Sequence, residues 1–249
     1  MCKFIQFTLV ALVGIAVTTV LLIAVARQSA RRGPDFYRHA MQQEPSEQSE
    51  AGAELEREIL KLHNQTRFEG HWEASFTADQ INGWLAHNLE NKFPNVVPPQ
   101  FQNCCVAIET DKLRLACLYN DPPMESVLSM DVDVHLTDQP NIIAVQIEKA
   151  RAGVWPVPLV QVLNTVSNFA MRAEFDLTWA NSGQDPVALI TIPEHREDLK
   201  KLLYLDILEV RDGKVYLSGR TETNQDTEES PIDEQPLVSR IEDVSTSRK

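Results

Sequence analysis

Three groups of residues in this chain have types and spacing that bear on chemistry. Asp131, Asp133 and His135 recur at every second position. In an extended strand that period puts all three on one face, and two carboxylates with an imidazole are a donor set for a cation. The alternate positions are Leu128, Met130, Val132, Val134 and Leu136, so the same pattern is also the wetted side of a half-buried strand, and that reading is preferred. The second group is the cysteines, Cys2, Cys104, Cys105 and Cys117, none in a C-x-x-C spacing. The third is Val154-Trp155-Pro156-Val157-Pro158-Leu159, a stiff apolar loop whose second proline opens a helix. Such a loop suits a membrane surface or a cavity mouth, and equally a buried connection.

Classical catalytic spacings are missing. His39, His63, His71, His87, His135 and His195 form neither H-x-x-x-H nor H-E-x-x-H, and the chain has no G-x-S-x-G, P-loop or G-x-G-x-x-G. Serine, histidine and aspartate are present, but a triad is defined by geometry that spacing does not supply. No catalytic residue, metal ligand or cofactor is assigned, so an enzyme is unsupported rather than excluded and a non-catalytic reading is preferred.

The elements that must position these groups are legible in part. Phe101–Tyr119 reads as a β-hairpin turning at Thr110-Asp111. Setting Glu109 against Lys112 pairs Ile108 with Leu113, Val106 with Leu115 and Cys104 with Cys117 on one apolar face, and Ala107 with Arg114 and Cys105 with Ala116 on the other. A slip of one residue would mix the faces. This register makes Cys104 and Cys117 a candidate disulfide, although two small buried thiols are the preferred reading. Ser126–Thr137 and Ile143–Glu148 alternate as strands around the turn Asp138-Gln139-Pro140-Asn141. Leu159–Met171 follows as an amphipathic helix. Phe175–Trp179 and Val187–Ile192 are strand candidates. Glu194–Leu203 reads as a short charged helix, and Tyr204–Gly219 as a hairpin on an Asp212-Gly213 turn, pairing Val210 with Val215 and Leu208 with Leu217. Upstream, Ala53–Arg67 reads as a helix presenting Leu55, Ile59 and Leu62. A second helix, from Ala78 to Asn91, is announced by Thr77 and Gln80 as a capping box and presents Ile81, Trp84, Leu85 and Leu89.

At the scale of the chain, 249 residues with a formal net charge of −13 argue against phosphate-neutralising contact with nucleic acid and against broad polybasic attachment to anionic lipid. Phe4–Ala26 is almost wholly apolar. As a helix it would be roughly 34 Å long, enough to cross a bilayer. Ala24-Val25-Ala26 also offers a signal-peptidase site, but the apolar run is long for a signal peptide and an uncleaved anchor is preferred. A short tail before a single apolar segment favours an extracytoplasmic domain, while Arg27, Arg31, Arg32 and Arg38 favour the opposite orientation. The Asn64-Gln65-Thr66 acceptor pattern bears on structure only in a secretory pathway. The expected layout is a short tail at residues 1–3, an anchor at 4–26, a polar spacer at 27–52, a globular domain at 53–220 and an acidic disordered tail at 221–249.

The chain resembles the YpmS-like membrane-anchored family of bacteria in two places. They are the helix opening Phe76-Thr77-Ala78-Asp79-Gln80-Ile81-Asn82-Gly83-Trp84-Leu85 and the segment Gly153-Val154-Trp155-Pro156-Val157-Pro158. The resemblance spans roughly Ser75–Gly219 and implies a long curved antiparallel sheet wrapped against helices, akin to tubular lipid-binding folds. The expected fold is therefore α+β, a mostly antiparallel curved sheet packed against two or three helices and preceded by one transmembrane helix. The expected function is non-catalytic binding of a lipid or other apolar ligand at the membrane. Its expected contacts are Val154, Trp155, Pro156, Val157, Pro158, Leu159, Val162 and Val166, with Trp84. The alternative is a structural or interaction subunit of a membrane complex with a filled core and a protein partner.

Overall fold

The computed structural model describes residues 29, 32–92, 97–122, 124–172, 176–182, 185–193, 195–196 and 201–223. Helix α1 (Asp35–Ala40) follows Pro34 in extended backbone, with Asp35 in its first turn and Arg38 and His39 in its last, as the helix dipole favours. Helix α2 (Pro45–Gln65) opens on proline at its first turn. Strand β1 (Gly70–Thr77) leads directly into helix α3 (Ala78–His87). There the Thr77 hydroxyl accepts from Gln80 N and the Gln80 side chain accepts from Thr77 N, a reciprocal cap that stabilises by about 1 kcal/mol. Helix α4 (Leu89–Lys92) is a single turn.

The strands follow: β2 (Phe101–Glu109), β3 (Lys112–Asp121), β4 (Met124–Leu136), β5 (Ile142–Ala152) and β6 (Trp155–Pro156). Helix α5 (Leu159–Arg172) precedes β7 (Leu177–Ser182), β8 (Asp185–Thr191), β9 (His195–Arg196), β10 (Lys201–Arg211) and β11 (Lys214–Thr223). These form two sheets of antiparallel pairs, ordered β1-β11-β10-β9 and β2-β3-β4-β5-β8-β7, with β6 on β5.

The α+β class and the antiparallel pairing agree with the sequence. Both hairpin registers are observed as read beside their turns: Ile108 opposes Leu113 and Val106 opposes Leu115, although the pairing shifts between Gln102 and Cys105 and the expected Cys104–Cys117 ladder pair is not formed, and Val210 opposes Val215 and Leu208 opposes Leu217. The turns explain this. Asp111 (φ 60°), Asp212 (φ 52°) and Gly213 (φ 75°) hold left-handed backbone that asparagine-like and glycine residues accept.

Several expectations are corrected. The strands form two sheets rather than one, with the β10–β11 hairpin beside β1. Where described, Glu194–Leu203 is extended, because Lys201 and Leu202 pair with Arg196 and His195. The stretch expected as a spacer is built into the fold. Tyr37 and Ala40 of α1 are buried in a cluster with Cys105, Ala116 and Val127. The α2 helix begins at Pro45, not at Ala53. Its N-terminal half is held by a close crossing of α2 and α3, where a Cβ on Gly83 would lie 2.2 Å from the Gln48 carbonyl oxygen and one on Gly52 would lie 2.8 Å from the Gly83 backbone. Of the expected apolar face of α2, Leu55 is buried but Ile59 is 46% exposed. Strand β1 was not anticipated, although Trp72 and Ala74 are buried and alternate with exposed His71, Glu73 and Ser75.

The two sheets meet at a seam. Val106 and Ile108 of β2 and Val210 of β10 are buried together, against Ala78, Ile81, Leu113, Val134 and Val215. A backbone bond reinforces it, from Asp111 N to Val210 O at 2.9 Å, while Ala78 N to Gly213 O at 3.0 Å extends the β1–β11 ladder. No helix among the described residues is long and apolar enough to cross a membrane. Phe4–Ala26 and residues 224–249 lie outside the described residues.

Candidate functional site

Opposed residues of antiparallel strands project to the same side of a sheet. In β3-β4-β5 this produces two adjacent cross-strand rows. Arg114 opposes Asp131, which opposes Lys149; Ala116 opposes Ser129, which opposes Arg151. The rows floor a cleft of ≈ 260 Å³ walled by Arg32-Gly33-Pro34 on one side and Gly153-Val154 on the other. Four cations, Arg32, Arg114, Lys149 and Arg151, line it with one carboxylate, Asp131. Arg114 is fixed in place: its Nε lies 3.2 Å from Asp131, its Nη1 lies 3.0 Å from Glu109, and its guanidinium stands 4.9 Å from the centroid of the Phe36 ring in α1. Burial works against the Arg114 charge, but the bonds and charges of Glu109 and Asp131 outweigh it and hold its pKa above the ordinary value. No described carboxylate is ion-paired with Arg32, Lys149 or Arg151.

The loop after β5 is a tight hairpin. Gly153 adopts φ 60°, a left-handed position that glycine takes without a Cβ penalty. Gly153 N bonds Val127 O at 2.8 Å and Val157 N bonds Ala150 O at 2.9 Å. Trp155 and Pro156 pair with Ala152 and Arg151. The loop is therefore rigid, and it turns its apolar tip outward, with Val154 and Trp155 both more than half exposed. Pro156 and Pro158 are exposed and Val157 is half-buried. Pro158 sits just ahead of α5, its carbonyl accepting from Gln161 N at 3.0 Å.

Helix α5 buries Val162 and Ala170 and half-buries Val166, but leaves Val160 and Met171 exposed. It is tied down by Trp179 Nε1 donating to Ser167 Oγ at 2.8 Å and by an edge contact of Phe169 with Phe101, 5.5 Å between centroids. Trp84 belongs elsewhere: on α3 it donates from Nε1 to Glu56 of α2 at 3.1 Å, so it supports the helix pair rather than the loop. Leu159 begins α5.

The cysteines form a second cluster, beneath α1. A two-against-one irregularity in β2, between Gln102 and Cys105, leaves Cys104 within hydrogen-bonding reach of Cys117, both as free thiols. The Cys117 thiol is pushed up by that hydrogen bond and then by burial. Burial pushes Cys105 up to about 12, and burial followed by the nearby thiols raises Tyr37 to about 12. Thiols held this firmly protonated are poor nucleophiles.

Asp131, Asp133 and His135 do not gather around one shared centre. Asp131 binds Arg114, and Asp133 Oδ1 lies 3.7 Å from His135 Nδ1. Among the described residues no three metal-ligating side chains converge. The cationic lining escaped the sequence reading because Arg32, Arg114 and the neighbouring Lys149 and Arg151 lie in three distant parts of the chain. The one available signal was charge on the polar face of two strands whose mutual register was not assigned. Comparison with family models, with curated proteins and with solved structures finds no match to this chain.

Proposed function

We propose that this chain is a membrane-attached, non-catalytic domain that engages lipid at the bilayer surface, with residues 4–26 as its attachment. The observation that carries this reading is the exposed Val154-Trp155 tip on a rigid hairpin, whose Val154 lines the same cleft as Arg32-Gly33-Pro34. Tryptophan with an apolar neighbour is a side-chain pair that settles at the headgroup level. Only five residues lie between Ala26 and Arg32. A span of that length reaches at most about 20 Å, so an anchored chain keeps this end of the domain close to the membrane. The domain is proposed to face the extracytoplasmic side, which protease accessibility of the β10–β11 region in sealed vesicles of known orientation would check.

Reconstitution of the full chain into vesicles carrying brominated lipids tests the central reading. Quenching of tryptophan emission that disappears in Trp155→Phe, leaving the other three tryptophans, is the expected result. Equal quenching in the variant would remove the basis for it. A second reading, as an interaction subunit, is favoured by the exposure of Val160 and Met171 on α5. It expects Met171→Lys to break a co-purifying assembly without changing Trp155 quenching.

A further inference from the structure

The cleft on the β3-β4-β5 face is cationic in a chain whose formal net charge is −13. The acidic groups outnumber the basic ones, 36 to 23, yet four cations meet one carboxylate here. Such a concentration needs a reason, because like charges held together repel unless an anion or solvent screens them. Surface repulsion is commonly relieved by ion pairs. Arg114 has two, with Glu109 and Asp131, but Arg32, Lys149 and Arg151 have no such pair with another described residue. Three uncompensated cations thus converge on one concavity whose floor is fixed by the register of three strands.

The walls add a second constraint. Gly33 lies against Tyr37 and Val127, where a Cβ would approach the Tyr37 ring to 2.7 Å, so the Arg32-Gly33-Pro34 backbone is seated on the domain rather than draped over it. On the other wall Gly153 N is already bonded to Val127 O, which fixes Val154 at the rim. The cleft is therefore polar at its floor and apolar at one lip, beside Trp155.

Volume limits what can enter. The ≈ 260 Å³ of the cleft falls below the ~300–1,000 Å³ typical of sites that enclose a drug-sized ligand. A phosphate-bearing headgroup fits such a space and a pair of acyl chains does not. Guanidinium groups match phosphate oxygens through paired N–H donors, and Lys149 adds a compact charge.

We infer that the Arg32–Arg114–Lys149–Arg151 cleft binds the phosphate of an anionic phospholipid headgroup, with the acyl chains passing out over the Val154-Trp155 lip into the bilayer. This rests on the membrane-surface reading and names the ligand class for it. Arg114, already oriented by Glu109, Asp131 and Phe36, sets the floor. Lys149, Arg151 and Arg32 supply the net charge. The site is local, so it is compatible with an acidic surface elsewhere that would repel anionic lipid from the rest of the domain.

The test uses the full chain in non-ionic detergent and three probes: dioctanoyl phosphatidylglycerol, dioctanoyl phosphatidylcholine and inorganic phosphate, titrated by calorimetry. Phosphatidylglycerol is expected to bind at least tenfold more tightly than either other probe. Lys149→Gln and Arg151→Gln are each expected to weaken it about fivefold and the double variant about twentyfold or more, at roughly 1 kcal/mol per basic residue near an anionic headgroup. Lys149→Arg is expected to retain binding, and raised salt to weaken it. Both substituted side chains stand on the sheet surface, and an unchanged circular dichroism spectrum and unfolding midpoint will show that the variants are folded. Equal binding of the two lipids, indifferent to both substitutions, overturns the cleft assignment while Trp155 quenching still supports the surface reading. Inorganic phosphate binding as tightly as phosphatidylglycerol overturns the headgroup assignment in favour of a free-anion site. Binding of none of the three overturns it outright, and Trp155 quenching then reports separately on the membrane reading.

Discussion

Asn141 is the most completely buried large side chain among the described residues, 1% exposed, and it joins the two sheets. Its side-chain Nδ2 donates to Leu203 O at 2.6 Å and its Oδ1 accepts from Leu205 N at 2.8 Å, while its own carbonyl accepts from Ile192 N. An amide used this way stands in for a strand backbone. Asparagine also tolerates the left-handed φ of 58° found there. Asn82 does the same at the edge strand β2, accepting from Val106 N at 2.7 Å and donating to Val106 O at 2.9 Å. That contact occupies an edge position that would otherwise offer itself to another strand. Asn141→Ala removes two bonds, leaves buried backbone groups unpaired and strains the turn. The expected cost is about 3 kcal/mol, measured as a fall in the denaturant midpoint. Asn141→Gly, which relieves only the strain, is expected to recover about 1 kcal/mol of it.

The helices illustrate how an element is held by something other than apolar periodicity. The α2–α3 crossing rests on backbone contact at Gly52 and Gly83, and its flank is polar. Glu56 accepts from Trp84 Nε1, from Asn88 Nδ2 at 2.6 Å and from Lys92. The Lys92 contact, ahead of the others, holds the Glu56 carboxyl below its usual range. Small residues carry almost no hydrophobic signal, which is why the first two turns of α2 read as spacer. Gly83→Ala improves helix propensity by about 1 kcal/mol, but its methyl would meet the Gln48 backbone at 2.2 Å, and the helices would have to part. The net effect is expected to be a loss of about 2 kcal/mol, with a lower thermal midpoint. Gly70→Ala is no substitute control, because Gly70 has open space around it but φ 127°. An exposed helical site such as Ser49→Ala serves instead, and there the change is expected to be neutral or slightly stabilising.

For the molecule as a whole, the cluster beneath α1 couples stability to alkaline pH. Cys105 rises from 9.0 to about 12 and Tyr37 from 10.0 to about 12, both chiefly because burial disfavours their anions. The native state therefore keeps protons that the unfolded chain releases. Stability from these groups is intact below pH 9 and is lost as pH rises from about 9 towards about 12. Denaturant unfolding across that window should show the decline, and Cys105→Ala should flatten it. The same cluster seats α1 on the β2-β3-β4 face, so this is also the alkaline limit on the wall of the cationic cleft.

The local vocabulary was legible. Alternation of apolar and polar residues identified β2 to β5 and the β10–β11 hairpin, left-handed turn residues fixed two registers close to their turns, and Thr77 with Gln80 marked the start of α3. These signals act within a few positions, where side-chain periodicity and turn chemistry decide between alternatives. The division into two sheets was not legible, nor was the pairing of β1 with β11, which sets Trp72 against Gly219. The bulge that shifts β4 against β5 between Asp131 and Val132 was equally hidden. Pairing between distant segments depends on which faces are buried together, and alternation alone gives the same face to several possible neighbours. The chain by itself therefore determined most of its long strands, the α3 cap and a stiff apolar loop at Val154–Leu159, whose exposure it left open. Only the tertiary structure decided that Arg32, Arg114, Lys149 and Arg151 share one cleft, because strand register and the seating of Arg32-Gly33-Pro34 bring together charges that the sequence scatters.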